Sequence, residues 1–100
     1  MKVIFNNTKL RKLCEEKSSS KKLRARLADL NAVKCVQDLV YGKPHPLKGD
    51  RTGQFALYRE GAERLVFEPS NDPIPLRADG SIDWAKVTEI CIIFIGDYHD

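Results

Sequence analysis

Residues 55–67 read Phe55-Ala56-Leu57-Tyr58-Arg59-Glu60-Gly61-Ala62-Glu63-Arg64-Leu65-Val66-Phe67, and their period decides the fold class. Phe55 and Leu57 point one way and Ala56 and Tyr58 the other, as alternate residues of a strand do. Glu60-Gly61-Ala62 supplies a turn. Leu65 and Phe67 carry the apolar face back, with Arg64 and Val66 opposite. The stretch is a β-hairpin that offers one face to a core.

Working outward, residues 69–83 are rich in proline, aspartate and glycine and read as a long loop, with Ile74, Leu76 and Ile82 available to pin it down. Residues 87–95 form the strongest strand. Its run Ile90-Cys91-Ile92-Ile93-Phe94-Ile95 is apolar on both faces, the pattern of a central strand covered on both sides or of one in a small barrel-like sheet. Upstream of the hairpin, the two prolines of Gly42-Lys43-Pro44-His45-Pro46 force extended backbone, and residues 49–53 form a turn. Earlier still the period becomes helical. Leu10, Leu13 and Cys14 recur at i, i+3, i+4 behind the capping candidates Asn6, Asn7 and Thr8. Ser18, Ser19 and Ser20 interrupt the stripe and cap a second helix, in which Leu23, Leu27 and Leu30 recur. The stripe runs on through Val33, Val36 and Val40, with a kink near Asn31. Residues 2–5 are a short strand. The order predicts one α+β domain over residues 1–100, with N-terminal helices packed on one face of a small antiparallel sheet.

Composition narrows the function classes. The chain has 100 residues, 42% hydrophobic and 31% charged, the balance of a single globular domain. No apolar run approaches the roughly 20 residues that span a bilayer, and the N-terminal apolar stretch is too short for a secretory signal. The expectation is a cytoplasmic protein with no membrane partner. Cys14, Cys35 and Cys91 are odd in number and scattered, which reads as three small hydrophobes and not as a disulfide framework or zinc site. There is no glycine-rich phosphate loop, no nucleophile elbow and no cysteine–histidine signature. The net charge of +3 is unevenly spread: residues 1–50 carry a balance of +7 and residues 51–100 a balance of −4. The basic half suits a polyanion or an acidic partner, or is simply a solvated face.

The chemistry-bearing residues gather at strand ends. If the strand at residues 64–68 pairs antiparallel with that at 87–95, Arg64 lies near Asp97, Tyr98 and His99. The loop that carries His45 and Lys48 leads into the strand before Arg64 and folds over the same edge. Two imidazoles, a lysine, an arginine, a tyrosine and a carboxylate around one concavity fit cleavage of a phosphodiester through its own 2′-hydroxyl. That reaction needs a base, an acid and cationic donors for the charge of the transition state. No cofactor is called for. The plainer alternative is a surface ion pair between Asp97 and Arg64.

The block Pro44-His45-Pro46-Leu47-Lys48-Gly49-Asp50-Arg51-Thr52-Gly53, the strand Arg64-Leu65-Val66-Phe67 and the terminal Asp97-Tyr98-His99 together resemble HigB-type toxins of the RelE/ParE superfamily. The resemblance covers residues 41–100 by residue and residues 1–40 by pattern. It implies a small microbial-ribonuclease-type fold and a ribosome-dependent endoribonuclease that cuts mRNA and arrests growth. It further implies neutralisation by a HigA-like helix-turn-helix antitoxin. By matching position it assigns His45, Lys48, Arg64, Asp97, Tyr98 and His99 to the catalytic site. The match leaves open which histidine is base and which acid; we read His99 as the base. Lys43, Arg51, Lys9, Lys12, Lys21, Lys22 and Arg24 would hold RNA backbone. The 69–83 loop departs from the shorter family pattern, and Asp100 follows the usual terminal histidine. Two other readings stand beside this one. One is a toxin of the same fold that inhibits DNA gyrase, and the other is a non-catalytic RNA- or partner-binding module.

Overall fold

The computed structural model describes residues 1–16 and 20–97, without the side chains of residues 59 and 60. The chain runs β1 (Lys2–Phe5), α1 (Thr8–Glu15), α2 (Lys21–Ala32), β2 (His45–Pro46), β3 (Phe55–Glu60), β4 (Glu63–Pro69) and β5 (Glu89–Gly96), with short 3-10 turns at Val36–Asp38, Gly49–Arg51 and Trp84–Lys86. Five strands form one sheet in the order β1-β5-β4-β3-β2. The expected meander β3-β4-β5 is present. The sheet as a whole is mixed and not antiparallel, because β1 pairs with β5 in parallel. The two helices between β1 and the rest of the sheet provide the long crossover that a parallel neighbour requires.

Local chemistry places the helices. Asn7 caps α1 by accepting from the Leu10 amide at 2.9 Å, and Ser20 caps α2 by accepting from the Leu23 amide at 3.1 Å. Each satisfies one of the amides that a helix start leaves without a partner. The predicted helical stripe beyond residue 32 is corrected. Helix α2 ends at Ala32, and Val36 and Leu39 reach the core from a 3-10 turn and the residue after it. Val40 is exposed and does not continue the stripe.

The core lies on one face of the sheet. Leu23 and Leu30 of α2 pack with Leu57, Leu65, Phe67, Ile90 and Ile92, joined by Cys14, Val36 and Val87. Phe55 adds ring contacts to Phe67 and Trp84, with centroids 5.4 and 4.8 Å apart. Burying side chains of this size supplies about 1.5–3 kcal/mol each.

The expectation that β5 is covered on both faces is also corrected. A bulge falls between the pairs Phe67↔Ile92 and Val66↔Phe94, leaving Ile93 as the extra residue. Ile90 and Ile92 are fully buried, while Cys91, Ile93, Phe94 and Ile95 are half-buried. The unbroken apolar run is therefore a bulged strand with one covered face.

The loop after Pro69 is tied down. The Asn71 side chain accepts from the Thr88 and Glu89 amides at 3.1 and 3.0 Å, and Leu76 bridges Ile82 in a small antiparallel contact. Ile74 and Leu76 remain exposed, so Ile82 does most of the pinning. The three cysteines are free thiols, buried or half-buried, as expected. Among the described residues no helix is long and apolar enough to cross a membrane.

Candidate functional site

The site is built on the sheet face away from the helices. His45 pairs with Ala56, Ala56 with Val66, and Val66 with Phe94. Residues facing one another across a ladder share a face, so these four point together, opposite Leu57, Leu65 and Ile95. Tyr58 and Arg64 form the next pair along that face, with Gly96 opposite Arg64 in β5. Ala56 and Val66 are fully buried and make a small apolar floor.

Pro44 and Pro46 hold β2 extended at the sheet edge, where a residue without an amide hydrogen is tolerated. The bend before it is sharp: Gly42 and Lys43 both have positive φ, 84° and 50°. Gly42 is required there, since a Cβ would stand 2.8 Å from the Tyr58 carbonyl oxygen and 3.0 Å from Cδ of Arg26. The Gly42 carbonyl in turn accepts from the Tyr58 amide at 2.6 Å, fastening the bend to β3. This brings the Lys43 carbonyl 2.7 Å from Nδ1 of His45. A carbonyl only accepts, so Nδ1 carries a hydrogen in that contact and Nε2 is the nitrogen left for proton exchange.

Tyr58 joins the two charged partners. Its ring stacks on the His45 imidazole with centroids 5.7 Å apart and 29° between planes. The Arg64 guanidinium carbon lies 4.9 Å from the Tyr58 ring centroid, and Nη2 donates to the Tyr58 hydroxyl at 3.2 Å. Nη1 of Arg64 donates to the Ala62 carbonyl at 3.1 Å. On the other flank Arg51 donates to Gln54 Oε1 at 3.2 Å and places its guanidinium carbon 5.9 Å from the Phe94 ring centroid. The face thus carries one imidazole and two guanidinium groups, each held against an aromatic ring. Guanidinium groups and aromatic rings are the side-chain types suited to anions and planar bases.

Among the expected catalytic residues, the structure brings His45 and Arg64 together through Tyr58. Lys48 is exposed at the start of the Gly49–Arg51 turn. Asp97 follows directly on Gly96, the partner of Arg64, and is exposed. Tyr98 and His99 lie outside the described residues. Of the expected RNA-binding residues, Arg51 belongs to the site face and Lys43 to its bend. Lys21, Lys22 and Arg24 are exposed on α2, across the sheet from His45, and Lys9 and Lys12 line a cleft beside β5. Sequence reasoning missed Tyr58 and Phe94 as members of the site. The alternation that set Tyr58 opposite Leu57 was the available signal.

No protein family and no curated protein matches the chain by sequence. A solved structure described as a YoeB/ParE toxin from Agrobacterium tumefaciens does match in three dimensions, with a TM-score of 0.64 and 16% identity over 99% of this chain and 100% of that one. At such low identity the likeness is one of fold, and the chain has the α+β fold of that toxin over its whole length.

Proposed function

We propose that this protein is the toxin of a type II toxin–antitoxin pair and acts as an endoribonuclease on ribosome-bound mRNA. The observation that carries the reading is the convergence of His45, Tyr58, Arg64 and Arg51 on one open face of a toxin-like fold. The substrate 2′-hydroxyl attacks the neighbouring phosphorus and the 5′-oxygen leaves, giving a cyclic phosphate and a 5′-hydroxyl. One imidazole takes the 2′ proton and another group returns a proton to the leaving oxygen. Nε2 of His45 suits either step, and His99 is our candidate for the base. The guanidinium of Arg64 meets the charge that grows on the non-bridging oxygens. Lys48 and Arg51 guide the backbone, and Asp97 and Tyr98 are our further candidates for catalytic residues. A cytoplasmic location and a HigA-like antitoxin complete the proposal. The name ParE in the matched structure keeps gyrase inhibition as the second reading; the cationic and aromatic site face favours RNA.

Purified protein is incubated with a defined mRNA, free and on ribosomes, and new 5′ ends are mapped. Cleavage only on ribosomes, lost in Arg64→Ala and His99→Ala, is the expected result. Cleavage should also weaken with added salt as phosphate contacts are screened. Growth arrest without any RNA cleavage would replace this reading with the gyrase one.

A further inference from the structure

Strand β5 is an interior strand for only half its length. On its outer side β1 pairs with it from Lys2↔Glu89 to Phe5↔Ile92 and stops. The Asn6 amide makes one last bond to the Ile92 carbonyl at 2.9 Å, and Asn7 then turns the chain into α1. From Ile93 to Gly96, no described strand pairs with β5 on that side. Helix α1 leans over this edge without closing it. The cleft between them measures about 780 Å³, and its walls include Leu10, Leu13, Ile93 and Ile95, with Lys9 and Lys12 on the rim. Among the described residues that line it, Glu16 is the only acidic one. Leu13 is 40% exposed, and Ile93 is the residue that the bulge pushes out of the alternation.

An apolar, uncharged strand edge is a template for another strand, and soluble proteins ordinarily cover it. We infer that the Ile93–Ile95 edge and the α1 cleft receive an extended segment of a partner polypeptide that alternates apolar with acidic residues. The segment adds to the sheet beside β5, next to the end of β1. Its backbone pairs with the edge, its apolar side chains fill the space between Leu10, Leu13 and Ile93, and its carboxylates meet Lys9 and Lys12. Phe94 reaches both the cleft and the Arg51 contact, so the segment lies next to the face that carries His45 and Arg64 without needing to enter it. The charge of the rim selects the partner: a lysine-rich segment would meet two cations of its own sign. The inference does not depend on the nuclease reading.

The test is a random peptide library selected against the purified full chain, followed by amide mapping with the enriched peptides. Enriched peptides are expected to alternate apolar and acidic residues and to shift the Ile93 and Ile95 amides and slow their exchange. The Lys9→Glu/Lys12→Glu protein should bind them about tenfold more weakly, as reversal of two rim charges predicts. Leu13→Asp, at an exposed position that leaves the core untouched, should weaken them further. Basic peptides, peptides that map elsewhere, or no enrichment would overturn the inference. So would occupation of the edge by a second copy of the chain, seen as concentration-dependent shifts at Ile93 and Ile95, or by a short RNA in preference to any peptide.

Discussion

Arg64 and Tyr58 meet twice: the guanidinium donates to the phenolic oxygen at 3.2 Å and its carbon lies 4.9 Å from the ring centroid. The same ring stacks on His45. Tyr58 therefore sets where both groups stand. Tyr58→Phe keeps the stacking and removes one hydrogen bond to a charged group, and should lower RNA cleavage about tenfold. Tyr58→Ala removes both contacts and should lower it further, with an unchanged circular dichroism spectrum. Equal activity of the two folded variants would show that Tyr58 positions nothing.

Arg64→Lys keeps the charge and loses the planar fork that spans Tyr58 and the Ala62 carbonyl. On the proposed function Arg64→Ala should abolish growth arrest, and we expect Arg64→Lys to recover only a small part of it. A fully toxic Arg64→Lys strain, at equal protein level, would mean that charge alone suffices at this position.

Gly42→Ala should destabilise the fold by about 1–3 kcal/mol, the range for a side chain at a positive φ. Its φ is 84°, and a Cβ would crowd the Tyr58 carbonyl oxygen at 2.8 Å. Urea unfolding reads the change directly. Because the bend also sets Lys43 beneath His45, activity per folded molecule should fall too.

Ser20→Ala leaves the Leu23 amide without its cap at the start of α2. The expected loss is about 1 kcal/mol in the same unfolding experiment. Phe67→Ala empties a fully buried position shared with Phe55 and should cost about 3–5 kcal/mol. If the cap variant proved the more damaging, the placement of the core would be wrong.

Burial pushes the Cys91 thiol above its ordinary pKa, and the Glu68 carboxylate opposite it in the ladder adds to the effect. A raised pKa means less thiolate at any given pH, and thiolate is the reactive form. Iodoacetamide should therefore modify Cys91 more slowly than a free cysteine at pH 8, with a rate that rises through a midpoint above that of free cysteine. Peptide mapping by mass spectrometry follows it; modification as fast as the free thiol would contradict the burial.

Residues whose role is set by near neighbours were legible in the sequence. The caps Asn7 and Ser20, the stripe Leu23-Leu27-Leu30, the hairpin turn at Gly61 and the extended His45-Pro46 all follow from local sterics and hydrogen bonding. Part of the site was legible for the same reason. Antiparallel pairing of the last two long strands brings Arg64 beside Gly96 and hence close to Asp97 in sequence.

What the sequence left open lies in the two bulges and in the parallel strand. The pair Glu60↔Glu63, continued without irregularity, would set Tyr58 opposite Leu65 on the core face; the bulge between Tyr58 and Glu60 sets it opposite Arg64 instead. The bulge at Ile93 likewise returns Ile95 to the core face and sends Phe94 toward Arg51. A bulge adds one residue to one strand, and alternation along a single strand cannot reveal where its partner skips. The direction of β1 was decided by where two helices could pack, a non-local matter. The period-two and period-3.6 patterns thus determined by themselves that this chain makes helices over one face of a sheet. Only the tertiary structure decided that His45 and Phe94 join Tyr58 and Arg64 on the other face, because register is a property of two strands and not of one.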